Sequence, residues 1–357
     1  MTNNDPAANA APAPADEVDW TDVDWNAVYD TARAHMEKAQ GYYNHNVRVD
    51  LPDGPVVVRI PIPNAQQMDL RLWPEQDVLR AIAPYILPAP RVLHTSTNPA
   101  YQIHQFITGN VLDAIAPRCT PVPTHVPGEV IALLSELHRV PRQALPPTPN
   151  GWPQDGDSAG FAARLAAVTQ GVLIRHGEDF APLYERLNVP PDPLAAVLDG
   201  LSRLRQRPAG CVHADIHRKN MIVDSGRTVF LDWELALWGD PVYDLAVHFH
   251  KMSYQPAEQQ AVLDGWLALL PTAATTGWED DVPAYLAHEQ VKSVVVDTVR
   301  YSQQFAADPN SQLRRHLSQQ LTGKLRNARQ HWRIEEPLDP DEVYEALYWS
   351  TSWQSKP

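Results

Sequence analysis

The sequence predicts an α+β fold in two lobes, a small β-rich lobe at residues 17–108 and a larger α-rich lobe at residues 109–357. Three observations predict it. Alternating apolar and polar residues, broken by turn signals, crowd the stretch from Val47 to Ile107. After Thr108-Gly109 the apolar spacing changes to three and four, the period of helices packed on a core. Within that helical stretch a pair of short apolar strands, Met221-Ile222-Val223 and Val229-Phe230-Leu231, flanks a turn at Asp224-Ser225-Gly226. At 357 residues the chain is long enough for one large core or two domains.

The elements follow in order. Residues 1–16 are mostly Ala, Pro, Asn and Asp, too poor in apolar groups to fold, and are expected to be a disordered leader. From Trp20 to Lys38 the residues Trp25, Val28, Ala32 and Met36 give a helical spacing. Val47–Leu51 and Val56–Ile60 alternate around Pro52-Asp53-Gly54-Pro55 and read as a hairpin. Pro74 opens a helix that runs to Ala83, and Val92–His94 and Tyr101–Ile107 read as two further strands. A helix is expected at Val130–Val140, a Pro- and Gly-rich loop at 141–160, helices near 160–175 and 192–206, and a helical C-terminal third. No internal repeat is present.

Composition excludes several classes. The net charge of −14 argues against a nucleic-acid partner, whose phosphates call for Lys and Arg. An acidic surface reads either as a draw for a cationic small molecule or as charge that only keeps the protein soluble. No apolar run is long enough to span a bilayer, and no basic-then-apolar leader marks secretion. Cys119 and Cys211 form neither a disulfide framework nor a zinc motif, so a cytoplasmic location is expected. Oligomeric state leaves no trace in the sequence.

The chemistry concentrates between Cys211 and Asp244. His213-Ala-Asp215-Ile-His217-Arg-Lys-Asn220 precedes the 221–231 hairpin, and Asp232-Trp233-Glu234 follows it. Pairing the two strands brings Asn220 and Asp232 to one end of the hairpin. An amide oxygen and a carboxylate there suit a hard divalent cation. Asp215 is placed to accept a proton from an attacking hydroxyl. A base beside two oxygen ligands suits phosphoryl transfer from a metal-bound nucleotide. His213 is expected to hold the loop backbone rather than react. His217, Arg218 and Lys219 read either as phosphate contacts or as solvated charges.

These residues, with Gly239-Asp240-Pro241-Val-Tyr-Asp244-Leu-Ala, resemble the aminoglycoside phosphotransferase family of the protein-kinase-like superfamily, related to choline and homoserine kinases. Leu133-Leu134-Ser-Glu-Leu137-His138 resembles the family's helix after the hinge. The resemblance covers roughly residues 40–250 and implies a bilobal protein-kinase-like fold. It implies Asp215 as catalytic base, Asn220 and Asp232 as Mg²⁺ ligands, Asp244 as a support of the catalytic loop, and ATP or GTP as donor. In the first lobe it implies a phosphate-binding cation at Arg59, where the family more often has lysine, with Glu75 as its helix partner. Gly41–Asn46 takes the place of the phosphate-covering loop, and Gln105, Phe106 and Ile107 that of the hinge backbone facing the nucleotide base.

The resemblance implies an acceptor between the catalytic loop and the C-terminal helices. Glu234 and Glu289 are the candidate acceptor-binding acids, suited to an aminated substrate, and the aromatics from Trp278 to Trp349 lie in the same region. The resemblance therefore implies phosphate transfer to a hydroxyl of an aminoglycoside-like or other natural-product antibiotic, giving resistance. The alternatives are a metabolic kinase acting on an amino alcohol, sugar or nucleoside, and a non-catalytic nucleotide-binding module.

Overall fold

The computed structural model describes residues 19–36, 43–62, 68–336 and 338–354. The expected leader at 1–16 and residues Gly41 and Tyr42 lie outside the described residues. The chain divides into two compact units, residues 1–65 with 91–106 and residues 66–90 with 107–357. By packing, the segment 66–90 groups with the second unit.

In the first unit, α1 (Trp25–Arg33) starts where the Asp24 carboxylate accepts hydrogen bonds from the backbone N–H groups of Asn26 and Ala27. That cap places the start after Trp20, where the apolar spacing begins. The strands are β1 (Asn44–Leu51), β2 (Gly54–Pro61), β3 (Val92–Thr97) and β4 (Ala100–Gln105). They form an antiparallel sheet in the order β1-β2-β4-β3. Alternation turns Val47, Val49, Val56, Val58, Ile60, Tyr101 and Ile103 onto Val28 and Ala32 of α1. Arg59 sits between two of these inward residues, half-buried, opposite Asn46 on one side and Gln102 on the other. Phe106 lies under the Arg48 guanidinium, whose Cζ is 4.6 Å from the ring centroid.

The second unit begins with α2 (Glu75–Ile82), preceded by Pro74 at its cap. Then come β5 (Asn110–Val111), α3 (Leu112–Ile115), α4 (Val126–Arg139), α5 (Ser158–Arg186) and α6 (Ala195–Ser202). The strands β6 (Gly210–Val212), β7 (Met221–Asp224), β8 (Arg227–Phe230) and β9 (Leu237–Gly239) follow. The rest is helical: α7 (Pro241–Met252), α8 (Pro256–Leu269), α9 (Thr272–Thr275), α10 (Trp278–Ala307), α11 (Ser311–Trp332) and α12 (Pro340–Gln354). None of the described helices is long and apolar enough to cross a membrane.

Several elements depart from the sequence reading, among them the strands β6 and β9, which it did not contain. α5 is one long helix that opens inside the expected loop, because Asp157 caps it through the Gly160 N–H at 2.8 Å. β5 is an added strand that pairs with β7 at Asn110↔Val223 and Val111↔Ile222. A core of valines from α10, leucines from α5 and α11, and residues of α12 fills the helical region. The aromatics expected near an acceptor are partly used here. Tyr285 is buried, Tyr344 packs edge-on against Phe305, and Trp332 donates through Nε1 to the Pro193 carbonyl at 3.0 Å.

Gly109 sets the approach of β5 to the hairpin. Its φ is +117°, and a Cβ there would lie 2.5 Å from the Val223 carbonyl oxygen. Gly109→Ala is therefore expected to cost about 1–3 kcal/mol of stability. Gly128, helical and with nothing within 4 Å of an added Cβ, is the control, and its alanine variant is expected to be neutral or up to about 1 kcal/mol more stable. Urea unfolding of the two variants checks both.

Candidate active site

The loop between β6 and β7 is held by one face of one helix. β6 and β9 pair antiparallel through Cys211↔Trp238, and the chain leaves β6 at His213. Ala214 has φ +60°, a left-handed conformation that costs a non-glycine residue about 1–3 kcal/mol. Asp244 on α7 stabilises it. Its carboxylate accepts from the backbone N–H of His213 at 2.9 Å and of Ala214 at 2.8 Å. One turn further, His248 Nδ1 meets the Ile216 carbonyl at 3.0 Å. A carbonyl only accepts, so Nδ1 carries the proton and Nε2 accepts from the Tyr254 hydroxyl, 3.1 Å away. Lys251, the next residue on that face, places its ammonium on Asp215 Oδ1. Residues 244, 248 and 251 thus form an i, i+4, i+7 stripe that meets the loop at three points.

Asp215 is buried, and both of its oxygens are engaged. Asn220 Nδ2 donates to Asp215 Oδ2 at 3.0 Å and to its backbone carbonyl at 3.1 Å. His217 Nε2 stands 3.4 Å from Oδ1, on the side of Lys251. Burial alone pushes the Asp215 carboxyl up, but the Lys251 ammonium and His217 outweigh it and hold the group well below the usual carboxylate range.

Asn220 and Asp232 stand together at the base of the hairpin. Met221 pairs with Phe230, and the Leu231 N–H donates to the Asn220 carbonyl at 2.8 Å. Asp232 follows in a left-handed conformation, φ +64°. With its Nδ2 turned to Asp215, Asn220 presents its side-chain oxygen as the remaining ligand atom. The donor set, one amide oxygen and one carboxylate, fits Mg²⁺, which keeps few protein ligands and takes the rest from phosphates and water. Among the described residues no group of three or more His, Cys, Asp or Glu forms a cage for a metal ion.

Behind this pair lies Trp233, fully buried, whose ring centroid is 4.4 Å from that of His213 with the planes tilted by 47°. The Trp233 N–H donates to Glu75 Oε1 at 3.1 Å, so the helix acid of α2 touches the Asp232-Trp233-Glu234 segment. His213 is buried and makes no hydrogen bond through either ring nitrogen. Its expected backbone-holding contact is absent, and Asp244 does that work.

Arg218 reads differently in three dimensions than in the sequence. It is neither a phosphate contact nor a solvated charge. Fully buried, it donates to the carbonyls of Met252 at 2.8 Å, Ala116 at 2.7 Å, Pro117 at 3.1 Å and Thr120 at 2.9 Å. The two candidate acceptor acids are both occupied. Glu234 accepts from Arg71 Nη2 at 2.6 Å. Glu289 is buried between Lys292 at 2.9 Å, His288 at 3.4 Å and the Tyr243 hydroxyl at 3.3 Å. Burial pushes its carboxyl up, but Lys292 and His288 hold it well below the usual range. Further back, Asp240 caps α7 through the Val242 N–H at 2.9 Å, and Arg207 bridges Asp240 to Asp281.

Buried imidazoles make the fold acid-sensitive. Burial pushes His213, His248 and His250 from 6.5 down to about 4 each. The unfolded chain therefore binds more protons than the native one between those values, and stability is lost as the pH falls through that window. Asp244, pushed by burial from 3.8 up to about 6, acts in the opposite sense. Three imidazoles outweigh one carboxyl. The thermal midpoint is expected to be several degrees lower near pH 4.5 than at pH 7, as scanning calorimetry would record.

Comparison with known proteins places this arrangement. The sequence model of the phosphotransferase enzyme family matches residues 37–279, which span the sheet of the first unit, the loop after β6, the hairpin and α7. The chain belongs to that family. Solved structures similar to this phosphotransferase include a choline kinase from Cryptosporidium parvum Iowa II, 12% identical, covering 93% of this chain and 100% of that one with a TM-score of 0.52. The aminoglycoside phosphotransferase APH(4)-Ia is 16% identical, covering 91% and 98% at a TM-score of 0.52. A choline/ethanolamine kinase family protein from Mesorhizobium loti is 14% identical, covering 89% and 98% at a TM-score of 0.51. At such identities the likeness carries the fold, a bilobal protein-kinase-like α+β architecture. A comparison with curated protein sequences finds no match. As a phosphotransferase of this family, the protein is an enzyme that acts on hydroxyl acceptors.

Proposed function

We propose that this phosphotransferase moves the γ-phosphoryl group of ATP or GTP to a hydroxyl of a small-molecule acceptor, with Asp215 as the base. The Asn220–Asp215 contact carries the reading, because it joins the group that orients the acceptor to the group that holds the metal. The acceptor hydroxyl gives its proton to the Asp215 carboxylate as its oxygen bonds to the γ-phosphorus. The bond from that phosphorus to the bridging oxygen breaks, and the nucleoside diphosphate leaves with the electron pair. The transition state is loose, so orientation counts for more than proton affinity. A carboxylate held as acidic as Asp215 suits that task. Asn220 and Asp232 would hold Mg²⁺, which neutralises charge on the phosphate oxygens when bound. Asp244 fixes the loop that carries Asp215.

We assign the phosphate cation to Arg59 on β2 of the first unit and the contact to the nucleotide base to the backbone of Gln105 and Phe106; Glu75 and Ile107, grouped with them by the sequence, fall in the second unit. Arginine offers the phosphates a fork where lysine offers a point charge. The aminoglycoside-like acceptor needs carboxylates open to an amine, and Glu234 and Glu289 already hold Arg71 and Lys292. That pairing favours a metabolic acceptor over an antibiotic. The test is a panel of aminated antibiotics, amino alcohols, nucleosides, sugars and hydroxy acids, incubated with each nucleotide and Mg²⁺ and read by mass. A gain of one phosphate on an acceptor supports phosphotransfer. Nucleotide binding without any phosphorylated product supports the non-catalytic module instead.

A further inference from the structure

The charged groups around Asp215 come in acid–cation pairs. Asp69, Asp215, Glu289 and Asp297 are matched by Lys251, Lys292, Arg300 and Lys324 in contacts that run along α7, α10 and α11. In each pair the cation is the more exposed partner. Lys251 is 27% exposed against 13% for Asp215, and Lys292 is 18% against 1% for Glu289. The Arg71–Glu234 pair repeats the order, 25% against 10%. Among the described residues, each of these carboxylates already holds a cation.

Two of these cations keep donors in reserve. A lysine ammonium has three N–H groups. Lys251 makes one contact, with Asp215 Oδ1, and Lys292 uses two on the oxygens of Glu289, at 3.1 and 2.9 Å. Both stand beside the catalytic loop. The His250–Ser293 hydrogen bond, 3.0 Å long, ties α7 to α10 at the residues next to Lys251 and Lys292. Lys292 also lines a cavity of about 20 Å³ against Ala214, the residue before Asp215. Such a space holds about one water molecule.

We propose that the acceptor carries an anionic group next to its reacting hydroxyl, that it is a hydroxy acid such as a sugar acid, and that Lys251 and Lys292 hold its carboxylate. The proposal rests on the phosphotransferase reading for the position of the hydroxyl. Lys251 touches Oδ1 of the proposed base itself, so an anionic group held by that ammonium would lie close to the reacting hydroxyl. Each lysine gains a charge-assisted hydrogen bond without giving up its present partner.

The test compares matched carbon skeletons. Gluconate, glucose and glucosamine are titrated by calorimetry into the full chain with Mg²⁺ and a non-hydrolysable ATP or GTP analogue. Glycerate and glycerol form a second matched set. The hydroxy acids are expected to bind at least about tenfold more tightly than their neutral and aminated counterparts. The double variant Glu289→Gln/Lys292→Gln removes a buried pair together, so no lone charge is left inside. It is expected to lose that preference and keep its nucleotide affinity. Equal or tighter binding of glucosamine, or a hydroxy-acid preference that survives the double variant, overturns the proposal. Preferential hydroxy-acid binding with no phosphate transferred by either nucleotide leaves the anion site standing and removes the phosphotransfer reading.

Discussion

An Asp215→Asn variant is expected to lose roughly 10²- to 10⁴-fold in kcat while its affinity for nucleotide is unchanged. The substitution keeps shape and removes the charge that accepts the hydroxyl proton. Asn220 Nδ2 can still meet an amide oxygen where it now meets Asp215 Oδ2. Lys251 loses its carboxylate, but it is partly exposed and water replaces some of that contact. The fold is therefore expected to survive. An ion pair serving structure alone would show the opposite pattern, a lower unfolding temperature with kcat per folded molecule intact. Steady-state kinetics beside equilibrium nucleotide binding separates the two.

The second large effect falls on stability. Arg218→Met is expected to cost about 3–5 kcal/mol, a drop in Tm on the order of 10 °C. Methionine fills a similar volume and donates nothing. The carbonyls of Ala116, Thr120 and Met252 would each lose a charge-assisted donor inside the fold. Those carbonyls belong to the segment after α3 and to the end of α7, so one side chain of the catalytic loop fastens two other elements. Arg218→Lys is not conservative there, because an ammonium cannot reach in several directions from one planar group. It is expected to recover less than half of the loss. Thermal unfolding of both variants, with kcat measured well below their midpoints, checks the assignment.

The bilobal α+β layout was legible because period and turn chemistry change sharply near Gly109. The hairpin was legible for a similar reason, since Asp224-Ser225-Gly226 lies between two runs of apolar residues. The stripe on α7 left a weaker signal. Asp244, His248 and Lys251 have helical spacing, but they are polar residues in a helix with a largely buried face, and nothing local says which loop they meet. Lys251 was missed on that account. Arg218 was misread because a charge beside a catalytic motif looks like a phosphate contact, and only the long-range carbonyls around it reveal its burial. Glu234 and Glu289 drew attention as acids. Their cations, Arg71 and Lys292, come from a distant segment in one case and from one helical turn away in the other. The i,i+3 pair Glu289–Lys292 was visible in the sequence and points away from an aminated acceptor.

The claim that joins these observations is phosphate transfer through Asp215. Its most direct measurement is the mass of the acceptors after incubation with Mg²⁺ and ATP or GTP, for the wild-type chain and for Asp215→Asn side by side. The account predicts an acceptor heavier by one phosphate with the wild type and almost none with the variant at equal nucleotide occupancy. Equal product from both proteins, or nucleotide bound by both with no acceptor ever modified, would contradict it.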